Sequence, residues 1–434
     1  MNIVMVTNTY TPHIGGVARS VEAFSSEFRR SGHRVLIVAP EFADMPTDEV
    51  DVVRIPAIQN FNGSDFSVAL PTAGLLTENL DKFQPDIVHA HHPYLLGMTA
   101  LRIARYRELP LVFTHHTLYE QYTHYVPVDS PLFRQFVTEL ATHYANLTDQ
   151  VFAPSESIAS LIQNRGVKAP IAVVPTGVNL ERFGCGEGQH FRASMGISKE
   201  AFVVGHVGRL APEKNLGFLA ESVAKFLHAH PRGHFLIVGQ GPSKIEIRDI
   251  FERQGLMQRL HVAGALDQNE LADAYHAMDG FAFASKSETQ GMVLTEAMAA
   301  AVPIVALDAS GVREVVKDGF NGRLLHEETP EAFSTALQWL ANLPAAKMES
   351  LKRSARETAE TFSMQNTAAK AIAHYEALHE KAFVHRHDEF DQWQRILSLI
   401  KAEWDIVRGM TEAVGSAMSA SEPHLKSENN RTTS

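Results

Sequence analysis

Along most of this chain, short apolar runs rich in β-branched residues alternate with longer stretches whose apolar side chains recur at helical spacing. Strands are predicted at 3–7, 34–39, 86–91 and 111–114, with helices beginning at Gly16, Thr72 and Leu95 between them. Phe133, Phe136, Val137, Leu140, Tyr144 and Leu147 mark one face of a further helix, and strands follow at 150–153 and 171–174. This alternation predicts right-handed βαβ units and a parallel sheet covered on both faces.

The pattern breaks at Pro175-Thr176-Gly177-Val178-Asn179, which is turn chemistry, and at 183–189, where Gly184, Gly186 and Gly188 crowd together. A second alternating series then begins. Strands are predicted at 201–208, 235–238, 261–263, 280–284 and 304–307, with helices from Asn215, Pro242, Gln268 and Met292. The predicted fold is α/β: two Rossmann-like, doubly wound parallel-sheet domains facing a cleft, with C-terminal helices. The expected boundaries are 1–183 for the first domain, 184–200 for a linker and 201–362 for the second domain. A helix at 363–384 returns toward the first domain, an amphipathic helix covers 385–414, and a disordered tail covers 415–434. Within the amphipathic helix Phe390, Trp393, Leu397, Ile400, Trp404, Val407 and Met410 repeat at steps of three and four. Such a stripe suits docking on the protein itself, an oligomer seam over 390–410, or a membrane interface.

Composition narrows the partners. Length argues for two domains, since 434 residues exceed what one core sustains. The longest nearly unbroken apolar run, 297–307, contains Pro303 and is well short of the roughly 20 residues needed to span a bilayer. The first residues read as a strand rather than a signal peptide, so the expected compartment is the cytoplasm, including the inner face of the cell membrane. Cys185 is the only cysteine, which rules out an internal disulfide and a thiolate metal cage. A net charge of −11 argues against nucleic acid as a bulk partner.

The chemistry concentrates at predicted strand ends. Glu288 and Glu296 flank Gly291 where a strand turns into a helix, and open N–H groups with a positive dipole end favour a phosphate there. Acidic residues on both sides fit a sugar nucleotide, whose diphosphate takes the N–H groups while the carboxylates accept hydrogen bonds from hydroxyls. Gly208 to Asn215 has the same placement, with Arg209 offering a planar fork and Lys214 a point charge for a leaving diphosphate. Gly15-Gly16 follows the first strand and opens a helix, without the dinucleotide fingerprint. The segment 114–125 clusters His115, His116, His124, Tyr119, Tyr122 and Tyr125 at a strand end, and one of His115 and His116 is expected in the cleft, the other in packing. No metal-binding pattern emerges, and no cofactor is expected.

These motifs, in this order, resemble the retaining nucleotide-sugar glycosyltransferase family with the GT-B fold, glycosyl transferases group 1, over roughly residues 1 to 380. They are Gly15-Gly16, His116-Thr117, Gly208-Arg209-Leu210 with Lys214-Asn215, Val238-Gly239-Gln240-Gly241-Pro242, and Glu288 to Glu296 followed by Ala297-Met298-Ala299. The resemblance implies metal-independent transfer with retention. It implies that Arg209 and Lys214 grip the diphosphate, Glu288 the donor sugar and Glu296 the ribose. Backbone N–H groups of Gly291, Met292, Val293 and Leu294 complete the cradle, Gly15 and Gly16 close from the other domain, and His116 lies beneath the sugar. The catalytic set so implied is His116, Arg209, Lys214 and Glu288. The segment His116-Thr117-Leu118-Tyr119-Glu120-Gln121-Tyr122 is most similar to the branch that glycosylates diacylglycerol, although that branch usually has Tyr where this chain has His115. It implies a lipid acceptor near His116, Thr117, Tyr119, Tyr122 and Tyr125, glucose from UDP-glucose, and peripheral membrane contact through 61–76. Other readings stay open: mannosyl or other transfer from a GDP- or UDP-sugar to a polysaccharide or lipid-linked acceptor, a catalytically idle sugar-nucleotide-binding partner protein, and a nucleotide-sugar epimerase.

Overall fold

The computed structural model describes residues 1–13, 15–58, 68–69, 73–121 and 130–387. Tyr122, Tyr125, most of 61–76, most of the amphipathic helix expected at 385–414 and the tail at 415–434 lie outside the described residues. Two units are present. Unit 1 comprises Met1–Val174 and the residues from Ala368 on, and unit 2 is Pro175–Thr367.

Unit 1 runs β1 (Asn2–Val6), α1 (Gly16–Arg30), β2 (Arg34–Pro40), β3 (Val52–Ile55), β4 (Ala57–Ile58), β5 (Val68–Ala69), α2 (Ala73–Phe83), β6 (Ile87–Ala90), α3 (Leu96–Arg107), β7 (Leu111–Thr114), α4 (Pro131–Asn146), β8 (Gln150–Ala153), α5 (Glu156–Asn164) and β9 (Ile171–Val173). Apart from the small antiparallel pair β4–β5, the strands form one parallel sheet in the order β3-β2-β1-β6-β7-β8-β9. β6 and β7 are buried at every position, as the unbroken apolar runs require of strands covered on both faces. Helix starts carry their own signals: Ser130 and Ser155 accept hydrogen bonds from Phe133 N and Ile158 N to cap α4 and α5. Strand order reverses between β1 and β6, which makes the carboxyl ends of these neighbouring strands the topological switch point, where doubly wound sheets place their ligands.

Unit 2 contains α6 (Leu180–Phe183), α7 (Gly188–Ser194), β10 (Phe202–Val207), α8 (Leu216–Ala229), β11 (Gly233–Val238), α9 (Lys244–Arg253), β12 (Leu260–Gly264), α10 (Gln268–His276), β13 (Gly280–Phe283), α11 (Met292–Ala299), β14 (Ile304–Leu307), β15 (Gly322–Leu325), α12 (Pro330–Ala341) and α13 (Ala345–Thr361). Its parallel sheet has the order β12-β11-β10-β13-β14-β15, and the reversal falls between β10 and β13. The glycine-rich stretch expected as a linker at 184–200 is instead part of this unit. Gly188–Ser194 is helical, and Phe183, Phe191 and Ile197 are buried in the same apolar cluster as Val203, Tyr275 and Phe281. Glycine serves close packing here: a Cβ at Gly188 would lie 2.1 Å from the His276 carbonyl oxygen.

The last described helix, α14 (Met364–His387), covers the return helix expected at 363–384. From Ala368 it belongs to unit 1, where the fully buried Tyr375 ring packs on Phe28, Phe152 and His89. Among the described residues no helix is long and apolar enough to cross a membrane. No cluster of three or more His, Cys, Asp or Glu side chains is arranged to hold a metal ion among them either.

Candidate active-site residues

In unit 2 the loops leaving β10 and β13 sit side by side because their strands are neighbours at the reversal, and most of the predicted donor-site side chains ride on them. Lys214, at the end of the first loop, donates to Glu288 Oε1 on the second at 2.5 Å, and both side chains are only 16% exposed. Arg209 makes a more open pair with Glu213 at 2.6 Å, its side chain half exposed. Both expected phosphate-gripping cations therefore sit in this structure against carboxylates.

The glycines around them have geometric reasons. Gly239, at φ +140°, carries the loop after β11 so close to the loop after β10 that a Cβ would lie 1.9 Å from the Gly208 carbonyl oxygen. Gly291 caps α11 in the left-handed region, at φ +74°, and turns the chain abruptly from loop into helix. The Leu294 N–H bonds the Gly291 carbonyl at 2.9 Å, so helix geometry leaves the N–H groups of Gly291, Met292 and Val293 as the candidate cradle and removes Leu294 from it.

Glu296, one turn into α11 and 8% exposed, has its Oε2 held by the buried Tyr275 hydroxyl at 2.7 Å. That bond orients the carboxylate from below. Two further residues escaped the sequence reading. Gln290 clamps the Glu288 loop to the turn after β9, donating to Thr176 O at 2.5 Å and accepting from Thr176 N at 2.7 Å. His206, at the end of β10, points its Nδ1 at the Ala282 carbonyl at 3.0 Å; a carbonyl only accepts, so Nδ1 carries the proton and the buried Nε2 is a lone pair without a hydrogen-bond partner. Burial pushes His206 down to about 4, which keeps the ring neutral.

Unit 1 assembles a different kind of site. Asn8, just past β1, accepts from Leu96 N at 3.1 Å and donates to Tyr94 O at 3.0 Å, and its own N–H donates to His92 Nδ1 at 3.1 Å. These bonds tie the loop that leads to Gly15 and Gly16 to the loop after β6. Gly15 caps α1 with an extended backbone, and Gly16 is the first helical residue.

At the ends of β6 and β7 the histidines pack against one another. His116 Nε2 and His91 Nδ1 are 2.9 Å apart with their ring planes within 21° of each other, while His89 lies 4.1 Å from His91 between centroids. Burial is the main cause that pushes His91 and His116 well below their ordinary value and His89 and His92 to about 3. Of the two candidate histidines, His115 is the packing one: it is buried between Phe113 and Tyr119. Thr117 is half-buried beside His116. Tyr119, expected at the acceptor surface, is buried with its ring edge-on to Tyr94 and His115. Sequence reading missed His91 and His92; their signal was a second histidine pair at the end of the neighbouring apolar run.

Residues 14–182 match the family model described as Glycosyltransferase Family 4, and residues 189–358 match Glycosyl transferases group 1. An alpha-monoglucosyldiacylglycerol synthase of Streptococcus pneumoniae is 28% identical over 76% of this chain and 76% of its own length. A GDP-mannose-dependent alpha-mannosyltransferase of Mycolicibacterium smegmatis is also 28% identical, over 87% and 98%. A D-inositol 3-phosphate glycosyltransferase of Actinosynnema mirum is 31% identical over 70% and 76%. Among solved structures, sucrose-phosphate synthase from Thermosynechococcus elongatus superposes with a TM-score of 0.71 at 19% identity, covering 87% of this chain and 99% of that one. Anabaena Alr3699/HepE in complex with UDP and glucose superposes at 0.69 and 21%, covering 87% and 99%. With two parallel-sheet units of this topology and these matches, the chain belongs to the glycosyl transferases group 1 family and has the GT-B fold.

Proposed function

We propose that the protein is a retaining, metal-independent hexosyltransferase that moves glucose from UDP-glucose to a hydroxyl of a membrane lipid such as diacylglycerol. The observation that carries the donor half of this reading is the Lys214–Glu288 pair beside Arg209 and the N-terminus of α11. Two cations and an array of N–H groups supply the charge that a departing nucleoside diphosphate needs, the role a divalent cation plays in other transferases. Glu288 then takes hydroxyls of the transferred sugar, and Glu296, oriented by Tyr275, takes the ribose. His116, kept neutral by burial, meets the sugar through its imidazole dipole without adding a second positive charge. Gly15 and Gly16, at the start of α1, let the backbone approach a phosphate closely.

Support for the lipid acceptor comes from the monoglucosyldiacylglycerol synthase relatives and from the histidine and tyrosine segment at 114–125. A lipid acceptor brings unit 1 into peripheral contact with a membrane surface. The equally similar mannosyltransferases favour a second reading, mannosyl transfer from GDP-mannose. Calorimetric titration with UDP and GDP separates the two donors, and a mass-spectrometric screen of sugar nucleotides against a total lipid extract reads the product. A hexose added to diacylglycerol from UDP-glucose sustains the proposal; GDP preference with a mannosylated product replaces it. Nucleotide binding without transfer to any acceptor overturns both.

A further inference from the structure

Buried between the strand ends of unit 1 is a column of side chains in which each ring seats the next. Tyr375 of α14 lies 2.6 Å from His89 Nδ1, and His89 Nε2 lies 2.6 Å from Thr114 Oγ1, so both His89 nitrogens are occupied. His91 lies on the His89 ring at 4.1 Å between centroids, and its Nδ1 meets His116 Nε2 at 2.9 Å. His91 is 0% exposed, and its Nε2 has no hydrogen-bond partner. A buried nitrogen left without a partner is unfavourable, and phenylalanine or leucine would fill the position without it. The chain keeps a histidine where packing alone would not select one.

We propose that His91 is a positioning residue for His116, setting both the ring plane and the tautomer of the histidine that faces the transferred sugar. The inference rests on the transferase reading above for the role of His116. A hydrogen bond between two neutral imidazoles needs one N–H and one lone pair, so the proton placement on His91 dictates that on His116. The two rings lie end to end within 21° of one plane, an arrangement that an in-plane hydrogen bond between ring nitrogens favours, and the His89–Tyr375–Thr114 floor keeps His91 from turning away.

The test uses the purified full-length protein and the geometry of amide side chains: asparagine places a nitrogen or oxygen near the Nδ1 position of histidine, and glutamine near Nε2. His91→Phe should lower kcat roughly tenfold or more with the donor KM changed less than about twofold, because geometry at the sugar is lost while the donor loops of unit 2 are untouched. His91→Asn should recover most of the loss and His91→Gln should not. Ring nitrogen NMR of His116 gives a readout independent of turnover, with one tautomer in the wild type and a mixture in His91→Phe. Equal recovery by Asn and Gln, full activity of His91→Phe, or an unchanged His116 tautomer in that variant would each overturn the proposal. If the wild type transfers no sugar, the transferase reading falls and the NMR comparison still decides whether His91 sets the tautomer.

Discussion

The two units present candidate chemistry of opposite character. At the reversal point of unit 2 the side chains are charged and paired, Lys214 with Glu288 and Arg209 with Glu213. At the strand ends of unit 1 they are neutral, the buried pair His89 and His91 with the partly buried His116 joined to it. Both sets lie at the carboxyl ends of parallel strands, so fold alone does not set the difference. On the proposed reading, the charged set serves a diphosphate and the polarisable but uncharged rings serve a sugar carbon that develops positive charge. A protonated histidine at the second position would oppose that charge, and burial prevents it.

The largest effect should come from breaking the charged pair. Lys214→Met should lower kcat/KM for the sugar nucleotide by about 10² to 10³, the usual loss for one preorganised group acting on developing charge. Glu288→Gln should also lower turnover, yet it should tighten the bare nucleoside diphosphate several-fold, about 1 kcal/mol, since Lys214 no longer has to leave a carboxylate to reach phosphate. Calorimetry with UDP reads this opposition of signs directly. If Glu288→Gln weakens both ligands, the pair is only a brace for the loop.

Acid should break the neutral site first. His89 and His92 are pushed down to about 3 and His115 to about 4, while in the unfolded chain each titrates near 6.5. Below that value the unfolded state takes up protons that the folded state refuses, so stability falls with falling pH until the folded groups also titrate. Each such histidine contributes about 1.4 kcal/mol of lost stability per pH unit across that window, an upper figure where rings share one pocket. At neutral pH the penalty is absent. In unit 2, His206 is the histidine with a comparable burial-driven drop, to about 4, and His230, His234 and His261 are only partly buried. Hydrogen exchange read by mass spectrometry at pH 7.5 and 5.5 should therefore show β6 and β7 losing more protection than β13 and β14. Equal losses would mean that the two units share one acid-sensitive core.

Much of this contrast was legible in the residues. Alternating apolar runs named the strands of both sheets except the edge strands β3 and β15, and the charges flanking Gly291 and following Gly208 named most of the donor loops, because loops at strand ends carry their chemistry in short contiguous segments. His91 and Gln290 were not legible, since each acts on a partner far away in sequence: His91 on His116, and Gln290 on Thr176. The misread linker has a related cause. Gly184, Gly186 and Gly188 look like flexibility when read locally, whereas a Cβ at Gly186 would lie 2.7 Å from the His276 ring and one at Gly188 would strike backbone.

Gln290 offers a mid-sized test, because it supports the charged loop with an uncharged clamp. It is 5% exposed and makes both of its bonds to Thr176 backbone groups. Gln290→Ala removes both bonds, at a loss of roughly 1–3 kcal/mol in stability, and lets Glu288 drift from Lys214. Donor KM should rise severalfold, and Gln290→Glu should not rescue it, since a carboxylate cannot donate to the Thr176 carbonyl. Thermal melting alongside donor kinetics checks both. A fall in stability with unchanged KM would uncouple the clamp from the donor loop.

The smallest effect belongs to the open pair. Arg209–Glu213 is an i,i+4 contact with Arg209 half exposed, a geometry in which solvent screening leaves about 0.5 kcal/mol or less. Glu213→Gln should leave the melting temperature within roughly 2 °C of wild type, since so small a free-energy change divided by the unfolding entropy of a chain this long shifts the midpoint little. Its effect on donor affinity should also be slight. Arg209 already reaches solvent, so a diphosphate can meet it without first uncovering the cation, whereas Lys214 is only 16% exposed. The ratio of the two responses is the informative quantity. If Glu213→Gln tightens the nucleoside diphosphate as much as Glu288→Gln does, burial is not what distinguishes the pairs, and Arg209 is held as firmly in solution as Lys214 is.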